Sequence, residues 1–305
     1  LPQPAAKQEN PELKSEILNS RKPFIPREMN IREVRLNLQE RTSSSYTYNG
    51  NTYAFPFRSE SPFCFQLDFL RQIKAMTHLS PQTDKLPNIA QGALVLHFDK
   101  GKNEERVIIP LEELFLSGGK FFGAPDLKFK QENKIVTGMQ DMLSPKERLE
   151  IHKLPFGKKS IPLGIALEQR IRREIIVGPW KNNCLDSEAL LLCKLVRNLP
   201  PLLRQKALRG TQEPITITHA ILCIDSYRDC CANCQKLIQG FQWRLHDLIL
   251  GCNDPKISVV DDFGTLAIVR GHKRSEFIDD ALPQYKGSIS LEKGQHSLVC
   301  VPINK

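Results

Sequence analysis

The chain has 305 residues, of which 40% are hydrophobic and 25% charged, and it carries a net charge of +9. That length suits one large domain or two ordinary ones, at roughly 100–200 residues per domain, and the composition is that of a globular protein. No apolar run approaches the ~20 residues that a membrane-spanning helix needs, and Leu1-Pro2-Gln3-Pro4 lacks the charged-then-apolar pattern of a secretory leader.

The nine cysteines are an odd number, and Cys230, Cys231 and Cys234 fall within five residues. This usage argues against a disulfide scaffold. It points to the cytoplasm or another reducing compartment, with a metal or redox cluster. The charge is uneven: residues 153–209 hold 12 Lys and Arg against 4 Asp and Glu. A stretch that basic favours an anionic partner such as a nucleotide or nucleic acid, although solubility explains it equally well.

In chain order, residues 1–60 are rich in Pro, Ser, Asn and charge. Glu33 to Glu40 reads as a short helix. Tyr48-Asn49-Gly50-Asn51-Thr52-Tyr53 reads as a hairpin, because Asn-Gly suits a type I′ turn. Ser61-Pro62-Phe63 opens a buried helix ending near Leu79. Gly92 to Phe98 and Arg106 to Ile109 read as strands joined by the turn Lys100-Gly101-Lys102-Asn103. Periodicity is weak over 117–160, and a domain boundary is expected there. It separates an N-terminal region of α+β character and unassigned role (1–150) from a second domain (151–305).

From Ile161 the pattern tightens. Two strands of a hairpin are expected between Ile161 and Gly178, then a helix from Asp186 to Leu199 stopped by Pro200-Pro201. Ile215 to Ile224 reads as a buried strand, Cys231 to Leu250 as a helix, and Ile257 to Val260 and Thr265 to Val269 as two strands. A short helix over Ser275 to Ala281 and a last strand over Gln295 to Val301 complete an α/β domain, a mixed sheet covered by helices.

The sharpest chemical signal is Cys231-Ala232-Asn233-Cys234 at one helix start with Asp186-Ser187-Glu188 at another. Two thiols three apart on a first helical turn can share a metal. The helix N-terminus helps keep them ionised. Asp186 offers a third, oxygen ligand, and Glu188 would stand beside the metal to shuttle protons. Taken alone, Cys-x-x-Cys fits a catalytic metal, a structural metal or a redox pair, and Asp186 fits an N-cap.

Together, Asp186-Ser187-Glu188 and Cys231-Ala232-Asn233-Cys234 resemble the zinc-dependent cytidine deaminase-like superfamily. That family carries His or Cys, any residue, then Glu on one helix and Pro-Cys-x-x-Cys on the next, with a strand between. The resemblance covers roughly residues 155–305 and is closest in flavour to the divergent deaminases of bacterial toxins and effectors, where Ser-Glu-Ala-Leu follows the first ligand. It implies a cytidine deaminase-like fold, a Zn2+ cofactor held by Asp186, Cys231 and Cys234, Glu188 as the catalytic proton shuttle, and hydrolytic deamination of a nucleobase, with cytosine favoured over adenine. Two positions depart from the pattern. Asp186 stands where the family has His or Cys, which makes the ligand set more negative, and Cys230 stands where it has Pro. Cys184 and Cys230 are alternative ligands, in registers that fit the family less well.

Around this set, Trp180 could stack a base, and Asn182 and Asn183 could hydrogen-bond a base edge or ribose. Arg172 and Arg173, with Arg170 and Lys181, could face phosphate. Core packing and turn chemistry account for the same residues. His219, on an apolar strand, reads as a core residue, and Cys64, Cys193, Cys223, Cys252 and Cys300 as small buried side chains. Two further readings stay open: a non-catalytic binding module on the same fold, with structural zinc or no metal, and a thiol-redox protein using Cys231 and Cys234.

Overall fold

The computed structural model describes residues 32–38, 44–48, 50–56, 88–100, 103–117, 127–132, 134–142, 186–209, 213–273, 288–291 and 296–302. All lie in one compact unit, Ile31–Lys305. Its elements are strands β1 (Arg32–Leu38), β2 (Ser44–Tyr48), β3 (Asn51–Ala54), β4 (Ile89–Lys100), β5 (Asn103–Pro110) and β6 (Leu114–Leu116). Then come helix α1 (Leu127–Glu132), β7 (Ile135–Val136) and a 3-10 turn (Met139–Met142). Helix α2 (Ser187–Lys206), β8 (Ile215–Arg228), helix α3 (Ala232–Leu250), β9 (Ile257–Lys273), β10 (Ser288–Leu291) and β11 (His296–Pro302) follow. The class is mixed α/β, as expected.

The main sheet runs β11-β9-β8-β4-β6-β7, with β5 also paired to β4. β8, β9 and β11 are mutually parallel, and β4 is antiparallel to β8 and β5. The centre of such a sheet is covered on both faces, so its strands read as continuous apolar runs. β8 fits this, with nearly every residue from Ile215 to Tyr227 buried.

Helices α2 and α3 cover one face. Leu190, Leu195, Leu199 and Leu203 of α2 and Ile238, Phe241, Leu245 and Ile249 of α3 meet Leu94, Leu96, Leu222 and Ile224 of the sheet. Each such side chain contributes ~1.5–3 kcal/mol on burial. Gly92 lets α2 approach β4 closely, since a Cβ there would stand 2.6 Å from Leu191 Cδ1. A second sheet, ordered β10-β1-β2-β3, supplies Tyr46 and Tyr48 to the opposite face, where they pack with Val95, Ile221, Cys223, Leu266 and Ile268.

Several expectations hold. β2 and β3 pair as the expected hairpin, with Gly50 between them at φ +80, where a side chain would be strained. The β4–β5 hairpin, β8, α3 and β11 stand where the pattern put them. His219 is 4% exposed, and its ring packs 5.1 Å from that of Tyr48. Cys193, Cys223, Cys252 and Cys300 are buried.

Other expectations are corrected. The helix expected from Glu33 to Glu40 is not found over the described residues 33–38: β1 occupies Arg32–Leu38, and the period-two series Val34, Leu36, Leu38 explains why. Pro200-Pro201 does not stop α2, which runs on to Lys206. The prolines forfeit two backbone hydrogen bonds, but Leu199, Leu203 and Ala207 keep one buried stripe across them. The two strands expected over 257–269 are the single strand β9. Its register against β8 jumps from Ile217↔Val259 to His219↔Gly264, and that bulge absorbs residues 260–263, Asp262 and Phe263 among them. A division near residue 150 does not follow the core either. β4 pairs with β8 and β1 with β10, so both sheets draw strands from either side of it. The helices expected over 61–79 and 275–281 and the hairpin over 161–178 lie outside the described residues.

Candidate metal centre

Helices α2 and α3 both begin at the same end of the main sheet, and their first residues face each other. Asp186 is the N-cap of α2, and its carbonyl accepts the Leu190 N–H at 3.0 Å. An N-cap aspartate ordinarily turns its carboxylate onto its own helix. Here the side chain makes no capping bond. Its Oδ2 faces the other helix instead, 3.3 Å from Cys234 Sγ and 3.7 Å from Cys231 Sγ.

Cys231 is the N-cap of α3, and its sulfur accepts the Cys234 N–H at 3.5 Å. Cys234, one turn in, is buried, while Asp186 and Cys231 are half-buried. The three ligand atoms lie within 4.8 Å of one another. Bonds of ~2.0 Å to oxygen and ~2.3 Å to sulfur give a tetrahedron with edges of about 3.5–3.8 Å, close to the spacings found. Asp186, Cys231 and Cys234 could therefore hold a metal ion. Two helix N-termini converge on them, and their partial positive charge offsets some of the negative charge of three anionic ligands.

Neither Glu188 nor Cys230 belongs to this triad. Glu188 lies beside it, with Oε2 3.8 Å from Cys234 Sγ. It is 3% exposed and fully hydrogen-bonded. Its Oε1 accepts from Ser226 Oγ at 2.9 Å and Asn88 Nδ2 at 3.0 Å, and its Oε2 from Ser187 Oγ at 3.0 Å. Gly271 of β9 permits the close passage of the segment that leads into Cys230: a Cβ there would stand 2.7 Å from Asp229 Cα and 2.9 Å from its nitrogen.

The protonation pattern follows from burial and crowding. Burial raises the Asp186 carboxyl, and the two thiols beside it pull it partly back. Burial, then the charge of Asp186, raises Glu188, against the hydrogen bonds it accepts. Cys231 is lowered by its contact with the Cys234 thiol and amide, against burial. Cys234 is pushed well up by Cys230, Cys231 and burial. The Cys234 contact pulls Cys230 down, but burial and nearby negative groups leave it raised, at about 11. Cys231 is thus the thiol readiest to ionise.

Of the residues singled out in the sequence, Asp186, Glu188, Cys231 and Cys234 come together. Trp180, Asn182, Asn183, Arg172 and Arg173 lie outside the described residues, as does Cys184. Sequence reasoning missed Asn88, just before β4, and Ser226 near the end of β8. Neither carries a motif, and only the β4–β8 pairing brings them to Glu188. No protein-family model, curated protein or solved structure matches the chain.

Proposed function

We propose that the protein is a zinc-dependent hydrolytic deaminase acting on a nucleobase, cytosine in preference to adenine, within a nucleotide or nucleic acid. The single observation that carries this reading is a three-ligand set, Asp186, Cys231 and Cys234, with a buried carboxylate beside it and outside it. A catalytic zinc site keeps three protein ligands and one open position, whereas a structural site is closed by a fourth. The order of Glu-bearing α2, then β8, then Cys-bearing α3 also agrees with the resemblance to cytidine deaminase-like proteins.

Bound there, zinc supplies Lewis acidity and a water made nucleophilic near neutral pH. Glu188 takes and returns the protons that hydrolysis of an amine requires. Its Oε1 is anchored by Asn88 and Ser226, and Oε2 is turned toward the triad. Its raised pKa brings it nearer the range in which a carboxyl can do both. The basic stretch over 153–209 favours a phosphate-bearing substrate over a free nucleoside.

The test combines metal analysis with an ammonia-release assay on cytidine, CMP, adenosine, AMP and cytosine-containing single-stranded DNA and RNA. About one zinc per chain and ammonia release are expected. Glu188→Ala should abolish release and retain zinc. Normally folded protein that takes up no zinc would sink the proposal.

One observation favours a non-catalytic binding module on the same fold: the enclosure of Glu188 by three donors, the arrangement of a structural carboxylate. In that case Glu188→Ala leaves function intact, and charge reversal within 153–209 abolishes partner binding.

A further inference from the structure

Asn88 sits where three elements meet. Its backbone is fixed by Ser117, next to β6: Asn88 N–H donates to Ser117 Oγ at 2.9 Å, and Ser117 N–H donates to the Asn88 carbonyl at 2.9 Å. Its side-chain Oδ1 accepts the Arg228 N–H at 2.8 Å, from the segment that enters Cys230-Cys231. A backbone N–H can only donate, so this contact settles which end of the amide is oxygen. The Nδ2 group then necessarily faces the start of α2. It lies 2.8 Å from Ser187 Oγ, 2.9 Å from Ser226 Oγ and 3.0 Å from Glu188 Oε1. Both hydroxyls pass their own hydrogens on to Glu188. One amide thus ties the start of α2 to the end of β8 and orders the donors around the carboxylate.

We infer that Asn88 is a positioning residue, which holds the Glu188 carboxylate at the working distance from the Asp186-Cys231-Cys234 triad. The side chain has to donate on one side and accept on the other, and among side chains of this length only Asn does both. Asp accepts from Arg228 but has no hydrogen for Glu188. Ala does neither. The inference rests on the deaminase reading for the identity of the reaction, though not for the geometry.

The test takes full-length Asn88→Ala and Asn88→Asp, both zinc-loaded. On whichever member of the nucleoside, nucleotide and oligonucleotide panel the wild type turns over fastest, kcat should fall roughly 10- to 100-fold. That is part of the ~10²–10⁴ that a positioned proton-transfer group supplies. KM should stay within about 2- to 3-fold, since Asn88 holds Glu188 and not the substrate. Zinc content should not change. Crystal structures of the variants should show the Glu188 carboxylate displaced while Asp186, Cys231 and Cys234 keep their places. An unmoved carboxylate overturns the inference, as does a kcat equal to wild type. Failure of both variants to fold would also overturn it, by making Asn88 a structural residue. A wild type that releases no ammonia from any panel member sinks the deaminase reading alone, and the crystal structures still decide the role of Asn88.

Discussion

Cys234 Sγ lies 3.3 Å from Asp186 Oδ2, although the two residues belong to different helices and stand 48 positions apart. No side-chain capping bond of Asp186 to its own helix competes with this contact. Asp186→Ala or Cys234→Ala should therefore weaken metal binding by at least about 100-fold, beyond the 10- to 100-fold that loss of a supporting partner costs. Competition titration against a chromophoric zinc chelator measures it. Ser187→Ala, which removes a neighbour and no ligand, should stay within about 10-fold.

Metal uptake should release protons and tighten as pH rises. Ligation needs thiolates, and Cys234 is held well above its ordinary pKa in the metal-free protein. At neutral pH its proton has to be displaced, so zinc affinity should climb between pH 6 and pH 8. Calorimetry in buffers of different ionisation enthalpy should count at least one proton per metal. An affinity flat over that range would mean that Cys234 does not ligate as a thiolate.

The metal-free protein should show the opposite trend in stability. Burial raises the Glu188 carboxyl above its ordinary 4.5. A group raised on folding binds more protons in the native state. Its contribution is therefore fully present below the unfolded pKa and is lost as pH rises through the folded one. Gln mimics the protonated form. Metal-free Glu188→Gln should match wild type near pH 4 and melt at a higher temperature than wild type at pH 7–8. Thermal unfolding across that range, with chelator present, tests the sign.

Gly271→Ala should damage the centre from below. The added methyl would meet the backbone of Asp229, which cannot swing aside as a side-chain tip can. Overpacking of this kind costs ~1–3 kcal/mol. The strain falls on the segment leading into Cys230-Cys231, so zinc affinity should drop together with melting temperature. Gly50→Ala, far from the centre at a positive-φ turn, should lower melting temperature alone.

Much of the framework was legible because its signals are local. The apolar runs of β4 and β8, the 3.6-residue stripe of α3 and the Asn49-Gly50 turn each depend on neighbours in the chain. The candidate metal-binding cluster was legible for the same reason: a spacing of three residues and a helix start are short-range facts. What escaped depends on distant partners. Nothing near Val34 says that β1 will pair with β10, and nothing near Pro200 says that the sheet will hold α2 together across two prolines. Asn88 escaped most completely, since it stands 100 positions from Glu188 in the chain.

Cys231 caps α3 with the same sulfur that it could offer to a metal. Among the seven described cysteines it is the half-buried one, the other six being buried, and its thiol is lowered. The protein thus carries its own occupancy gauge. In metal-free protein, a dilute electrophile such as iodoacetamide should label Cys231 ahead of those six. In loaded protein that label should be lost, and the half-loaded fraction can be read from one peptide by mass spectrometry.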